Sequence, residues 1–464
     1  MEALQRTANR GSISTGPYQI DNSLKFEADN TEYLERDPAS AGDRQKFTTS
    51  MWVKRTELGQ ASTIFGVYPT SSVGDTTVMQ FGFMSDDKFQ LGLQTYYVFN
   101  TNRLFRDTSA WYHIVVAFDT TQSTAANRIK LYVNGTQETS FAVETYPNQN
   151  HSTGVNFTEP HRIGTLISNS WYFSGYIAEV NHVDGSQLAP TDFGEVDSDT
   201  GIWIPKKFTG SYGTNGFYLD FKDSANLGND ASGGLDFTET NIAAADQATD
   251  TPTNNFATLN PLMANAGPAN YLPITEGGTK AVNTAAAYKI ANSTFGVTSG
   301  KWYWEVKATD VNGVTAIGVT MPYYWDYDYT LWGCIYYAQG AQRYNNSSAG
   351  SFGTTYTDGD IISFALDMDA TPPTMTVYKN NSSQGNLMAG LSINGAGGAF
   401  LPVKEDGYFP KVVGYNANTF ECNFGGYTSF SISSAASDEN GYGTFEYAPP
   451  SGYYALCTKN LAEY

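Results

Sequence analysis

The chain has 464 residues, with 26 Lys plus Arg against 46 Asp plus Glu for a formal charge of −20, and it combines 16% charged residues with 14% aromatic ones. So few charges beside so many rings exclude a disordered chain and a coiled coil, and the negative field repels phosphate backbones and anionic lipid, which excludes a nucleic-acid binder. At about 150 residues per domain the length bounds the fold to roughly three units, or two large β-type ones of about 200 each.

Residues 1–20 carry no strand pattern, and Glu2–Asn9 suffices for one or two helical turns only. Met1-Glu2-Ala3-Leu4-Gln5-Arg6 has charges and no apolar h-region, so synthesis and folding in a cytoplasm are expected. A polar arm of this kind needs a surface to lie against, and its expected role is attachment to a partner. From residue 21 to 222 the chain alternates apolar and polar residues in short β-rich runs: Trp111–Asp119, Arg128–Gly135 and Gly175–Asn181. The longest apolar runs, such as Ile114–Phe118, are strand-sized and fall short of the roughly 18 residues of a membrane helix, so no membrane insertion is expected.

Turn dipeptides punctuate these runs, Asn-Gly at 134, 215, 312, 394 and 440 and Asp-Gly at 184, 358 and 406. They tolerate positive φ and so favour tight hairpins. Residues 223–258 are rich in Asn, Asp, Ala, Gly and Thr without apolar periodicity and read as an interdomain linker. Strand signals resume over 259–464, where Ile361–Asp367 followed by Met375–Asn380 echoes Ile114–Asp119 followed by Ile129–Gly135. In both, a buried strand ends at Asp and a hairpin strand with Tyr precedes an Asn turn, as two copies of one architecture require. Cys334, Cys422 and Cys457 lack any C-x-x-C spacing and read as buried free thiols.

The first half resembles laminin-G-like members of the concanavalin A-like lectin/glucanase superfamily, through Trp111-Tyr-His113, Lys130-Leu-Tyr-Val-Asn-Gly135, Arg162-Ile-Gly164 and Phe173-Ser-Gly-Tyr-Ile-Ala-Glu179 in order. The second half resembles SPRY-like domains through Gly300–Val306, Thr315–Val319, Ile361–Asp367 and Phe409–Val413. The resemblances imply an all-β fold, two concanavalin A-like jelly-roll sandwiches in tandem behind an N-terminal arm. The combination, closed by Ala448–Leu461, is similar to virion proteins of tailed bacteriophages. That similarity implies a particle-surface protein, a tail fibre or a surface fibre or spike, adhering to host surface polysaccharide. Residues 1–20 are expected to hold it to other virion proteins, and a homo-oligomer, a trimer, is expected. The runner-up roles are a head decoration or purely structural fibre protein, and a polysaccharide depolymerase.

Glu27-Ala-Asp-Asn-Thr-Glu32 matches the E-x-D-x-x-E pattern of the superfamily's glucanases, which pair a nucleophile with an acid/base. Here Asn30 and Thr31 read as a turn between two strands, so no catalytic residue is assigned and the chain is expected not to be an enzyme. His113 lies in an alternating strand and reads as a structural histidine. The densest unusual segment is Tyr323, Tyr324, Trp325, Asp326, Tyr327, Asp328 and Tyr329, followed by Trp332. Rings with interleaved carboxylates suit sugars, because aromatic faces stack on the C–H side of a pyranose while Asp accepts its hydroxyl protons. These eight residues are the candidate glycan site, with Trp171-Tyr172 and Tyr96-Tyr97 as rim or core rings. The laminin-G resemblance also implies calcium at a loop rim. Asp197/Asp199 and Asp367/Asp369 offer two carboxylates each against the about six to eight oxygens calcium takes, so they read as solvated loops and no cofactor is assigned.

Overall fold

The alternating runs form antiparallel strands whose inward residues meet between two sheets. The computed structural model describes residues 18–70, 73–167, 170–262, 271–321, 333–338, 342–344, 348–389, 392–393, 400–401 and 407–464. They divide into two units between Asn254 and Asn255.

The first unit opens with β1 (Ser23–Phe26), β2 (Tyr33–Arg36), β3 (Lys46–Arg55), β4 (Ser62–Val67), β5 (Met79–Phe83) and β6 (Lys88–Leu93). It continues with β7 (Tyr97–Leu104), β8 (Tyr112–Asp119), β9 (Ile129–Val133), β10 (Thr136–Gln137), β11 (Phe141–Glu144) and β12 (His161–Ile163). It closes with β13 (Gly175–Asp184), β14 (Gly194–Val196), β15 (Trp203–Pro205), β16 (Phe217–Leu219), β17 (Thr238–Thr240) and β18 (Gln247–Ala248). In the second unit follow β19 (Ile274–Thr275), β20 (Lys280–Asn283), β21 (Lys289–Asn292), β22 (Lys301–Val311), β23 (Val314–Thr320), β24 (Cys334–Tyr337), β25 (Gln342–Tyr344) and β26 (Ser348–Ser351). Then come β27 (Ile361–Asp367), β28 (Thr374–Lys379), β29 (Ser382–Asn386), β30 (Ser392–Ile393), β31 (Phe400–Leu401), β32 (Phe409–Tyr415), β33 (Asn418–Asn423), β34 (Tyr454–Ala455) and a short helix α1 (Thr458–Glu463).

Both units are jelly-roll sandwiches with one topology. One sheet runs β10-β9-β8-β3-β13-β1-β18 in the first unit and β29-β28-β27-β22-β33-β20-β19 in the second. The facing sheets contain β7-β6-β5-β4-β12-β2 and β26-β25-β24-β23-β32-β21. Counterpart strands occur in the same chain order except at one edge, where β18 ends the first unit and β19 begins the second, so the echo in the sequence reports a shared architecture. It extends to single hydrogen bonds. Asn134 (φ 47°) accepts the His113 N–H through its side-chain oxygen at 2.8 Å, and Asn380 (φ 45°) accepts the Ile361 N–H at 2.9 Å. In each hairpin the left-handed Asn satisfies a strand amide that the turn would otherwise orphan.

In the first unit, Phe47, Met51, Phe65, Phe81, Phe83 and Ile177 are among the fully buried side chains of the inter-sheet core. Each such residue contributes about 1.5–3 kcal/mol by leaving water. All ten residues of β13 are buried, although a sandwich strand normally turns alternate residues to solvent. The reason is a second layer, built from residues beyond β13, that covers the outer face of its sheet.

The chain beyond β16 corrects the domain boundaries. Residues 223–258 were expected as a linker, yet β17 pairs with β2 and β18 pairs with β1. Leu227 and Phe237 join the core. The segment lacks apolar periodicity because side-chain carboxylates fix its backbone instead. Asp230 Oδ1 accepts the Tyr218 and Ser232 amides at 3.0 and 2.9 Å, and buried Asp250 meets Lys54 Nζ at 2.6 Å and Trp111 Nε1 at 3.0 Å. Residues 255–258 belong to the second unit, where the Ala257 amide donates to the Leu456 carbonyl. The arm is likewise shorter than 1–20: Ile20 is buried, its carbonyl accepts the Thr253 hydroxyl at 2.8 Å, and Tyr18 bonds to Glu179. Residues 1–17 lie outside the described residues. Cys334, Cys422 and Cys457 are free and buried.

Candidate functional site

Tyr323, Tyr324, Trp325, Asp326, Tyr327, Asp328, Tyr329 and Trp332 lie outside the described residues. Of the lesser aromatic pairs, Tyr96 packs against the core, Tyr97 is exposed, and Tyr172 lies beside Tyr33 with ring centroids 6.2 Å apart.

Glu27 and Glu32 flank a four-residue turn, as their spacing implied. Both are buried. Glu32 takes Lys25 Nζ at 2.8 Å, the Glu27 amide at 2.7 Å and Asn30 Nδ2 at 2.9 Å, while Glu27 Oε1 accepts the Ser174 hydroxyl at 3.2 Å. Burial pushes Glu32 up to about 7 against the pull of Lys25. Their bonds hold β1 to the turn, work that ties both carboxylates to the scaffold.

His113 is buried with both nitrogens engaged. Trp203 Nε1–H donates to Nδ1 at 2.9 Å, which leaves the proton on Nε2 to meet Ser50 Oγ at 2.8 Å. His161 and His182 are fixed the same way, His161 donating to the Glu159 carbonyl at 2.7 Å and His182 to Asn156 Oδ1 at 2.9 Å. Burial lowers all three, His113 and His161 to about 3. They are neutral packing groups of the fold.

The calcium candidates are turn caps. Asp197 Oδ1 accepts the Asp199 and Thr200 amides at 2.8 and 3.0 Å, and Asp367 Oδ1 accepts the Asp369 and Ala370 amides, both at 3.0 Å. Asp367 also binds Lys301 at 3.0 Å. Among the described residues no group of three or more His, Cys, Asp or Glu side chains is placed to share a metal ion.

An open cleft of about 370 Å³ lies on the outer face of the first unit's β13 sheet. Val183 forms its floor, since Val180 and His182 point to the core and the pleat turns Val183 the other way. One wall is the loop with Ser186, Leu188 and Asp192, and the other is Lys206–Ser211, which leaves β15. The β14–β15 hairpin positions that second wall: the Lys206 amide donates to the Phe193 carbonyl at 2.9 Å, and Lys206 Nζ donates to the Thr191 carbonyl at 3.2 Å. Phe208 stacks on Phe193 at 5.0 Å and is half-buried, one edge left to the cleft. Gly210 lies directly against that ring, where any Cβ would collide with Phe208 Cζ.

From the cleft a row of rings crosses the outer face. Phe208 meets Tyr212 edge-on at 5.2 Å, and Tyr212 stacks on Tyr218 at 6.1 Å. Tyr18 and Tyr218 both donate to Glu179 Oε1, at 2.7 and 2.6 Å. Glu179 has φ 52° at the register shift of β13 against β3. A bulge there re-aims one side chain, and here it is the carboxylate that gathers the two phenols. Burial raises Glu179. Tyr18, Tyr212 and Tyr218 are all half-buried, with part of each ring open. Of these positions the sequence marked only Glu179, as the end of a fold landmark and not as a site residue. The signal available was Lys206-Lys207-Phe208, adjacent cations before an aromatic in a strongly acidic chain.

Residues 28–188 match the family model of the concanavalin A-like lectin/glucanases superfamily, and residues 301–427 match the SPRY domain. Together with the architecture they define a tandem of concanavalin A-like β-sandwiches. The Lys206–Ser211 wall and Tyr212 and Tyr218 fall beyond the first match. Solved structures similar to the chain include the SPRY domain of human HERC1, with 22% identity, TM-score 0.26, and coverage of 32% of this chain and 89% of that one. A heptameric SAP-like pentraxin from Limulus polyphemus has 15% identity, TM-score 0.29, and coverage of 43% and 94%. Domain 4 of AbnA, a GH43 extracellular arabinanase from Geobacillus stearothermophilus in complex with arabinotriose, has 19% identity, TM-score 0.24, and coverage of 33% and 66%. No curated protein matches the chain.

Proposed function

We propose that the chain is a non-enzymatic glycan-binding protein of a tailed-bacteriophage particle, with its sandwiches exposed and residues 1–17 attached to other virion proteins. The observation that carries the glycan-binding reading is the open cleft continued by a row of half-exposed rings, on a sandwich matching a lectin/glucanase superfamily model. Half-exposed rings offer flat apolar faces to pyranose C–H groups, and the hydroxyls around them exchange hydrogen bonds with sugar hydroxyls. The non-enzymatic reading is supported by the commitment of Glu27 and Glu32 to the turn. The phage setting rests on the resemblance of the sequence to virion proteins, and the reading includes a homo-oligomer, a trimer. Tyr323–Tyr329 and Trp332 are a second glycan surface in this reading.

Antibody labelling of intact particles tests the setting: surface labelling, with saturable binding of the purified chain to host cells, is the expected result. Absence of the chain from particles would overturn the virion role. Surface labelling without cell binding would leave a decoration or fibre role in place of adhesion.

A further inference from the structure

The cleft carries a local positive charge. In a chain of net charge −20, two adjacent cations, Lys206 and Lys207, line one wall. The acid that lines the cleft, Asp192, already accepts the Ala189 amide at 3.0 Å through Oδ2 and caps the short helical turn opposite. Lys206 is held at the wall by the Thr191 carbonyl, and Lys207 is exposed with no acidic partner among the described residues. Phe208 follows them directly, with Ser186, Thr209 and Ser211 supplying hydroxyls around the same space. The volume falls at the low end of ligand clefts, about 300–1,000 Å³, which is room for one or two sugar rings.

We propose that this cleft binds an anionic saccharide unit, a pyranose bearing a carboxylate or sulfate, with the ring against Phe208 and Leu188 and the anionic group at Lys206 and Lys207. The inference rests on the glycan-binding reading and names its ligand class. A neutral sugar would use the two ammonium groups only as hydrogen-bond donors and leave their charge unanswered. A small inorganic anion would leave the ring face unused. Exposure makes the contribution of each cation modest, so the two act together on one anionic group, and the apolar floor at Val183 with Leu188 and Phe208 on the walls limits screening on one side.

The full chain is titrated calorimetrically with uronate-containing, sulfated and neutral oligosaccharides of equal length and with inorganic sulfate, alongside a Lys206→Gln/Lys207→Gln variant. Both lysines are exposed and the variant gives up only the exposed Lys206 bond to the Thr191 carbonyl, so its melting temperature should stay within about 2 °C of the parent. The expected result is binding of a uronate or sulfated oligosaccharide, weakened about tenfold in the variant, roughly 1.4 kcal/mol. Preference between the uronate and sulfate arms then identifies the anionic group. Neutral oligosaccharides binding the parent and the variant equally would overturn this inference and leave the glycan reading intact. An anionic oligosaccharide bound equally by both proteins would move the site elsewhere, and inorganic sulfate binding as tightly as the oligosaccharide would reduce the cleft to a simple anion site. Failure of every oligosaccharide to bind would overturn the glycan reading itself.

Discussion

Asp250→Ala is expected to be among the most damaging single changes in the first unit, although it falls within the Asn- and Asp-rich segment. Asp250 is 1% exposed, and its Oδ2 lies 2.6 Å from Lys54 Nζ, itself fully buried. Burial already lowers Lys54, and Asp250 is the charge that opposes this most. Removing the carboxylate leaves a buried ammonium without that counter-ion, a change that costs about 3–5 kcal/mol. It also strips the Trp111 Nε1–H of its acceptor, about 1–3 kcal/mol. The two effects share one carboxylate and do not simply add, so about 4 kcal/mol is the working figure. For a unit of this size that lowers the midpoint by about 8–16 °C. Differential scanning calorimetry is the assay, because two units permit two transitions and the change should move one of them. Lys54→Met/Asp250→Leu removes both charges together and should recover most of the loss, short of the Trp111 bond. A midpoint for Asp250→Ala within about 2 °C of the parent would mean that the buried pair does not hold this segment to the unit, and would return residues 223–254 to the status of a linker.

Acid should destabilise the first unit through its neutral histidines. Their folded pKa values lie below the ordinary 6.5, so the unfolded chain takes up protons that the folded one refuses, and the stability present above pH 6.5 is lost as pH falls toward about 3. His113→Gln removes one such proton, so the urea-measured gap between parent and variant should narrow by about 1.4 kcal/mol per pH unit from pH 6 to 4; a constant gap would contradict it. Glu32, raised to about 7, works in the opposite sense between pH 7 and 4.5 and is common to both proteins. A chain starting at Tyr18 should keep native circular dichroism yet fail to enter particles, and normal incorporation would put the attachment elsewhere. Trp325→Ala should weaken adsorption to host cells with the melting temperature unchanged; a large loss of stability instead would assign that ring to a core or an interface.

The fold was legible because the strands carry period-2 patterns and the hairpins carry left-handed Asn, so Ile114–Asp119 and Ile361–Asp367 could be matched before their common capping bonds were seen. The layer over β13 was not legible. Asp230 and Asp250 organise it through carboxylate bonds to distant amides and cations, and such bonds leave no periodicity in the sequence. The cleft was hidden for the same reason: Leu188 and Phe208 come together only through the β14–β15 hairpin, a contact that neither composition nor local spacing encodes. The E-x-D-x-x-E match shows the opposite hazard, a motif reproduced letter by letter whose carboxylates turn inward to Lys25 and Ser174.

A protein that holds a glycan without cutting it retains the polymer and creates no new chain ends. Incubating the full chain with a panel of bacterial envelope polysaccharides, and measuring bound polymer and new reducing ends in the same samples, tests this most directly. Saturable retention of at least one polysaccharide is expected, with no increase in reducing ends over a protein-free control. Retention of none, or a time-dependent rise in reducing ends abolished by Glu27→Gln, would contradict it.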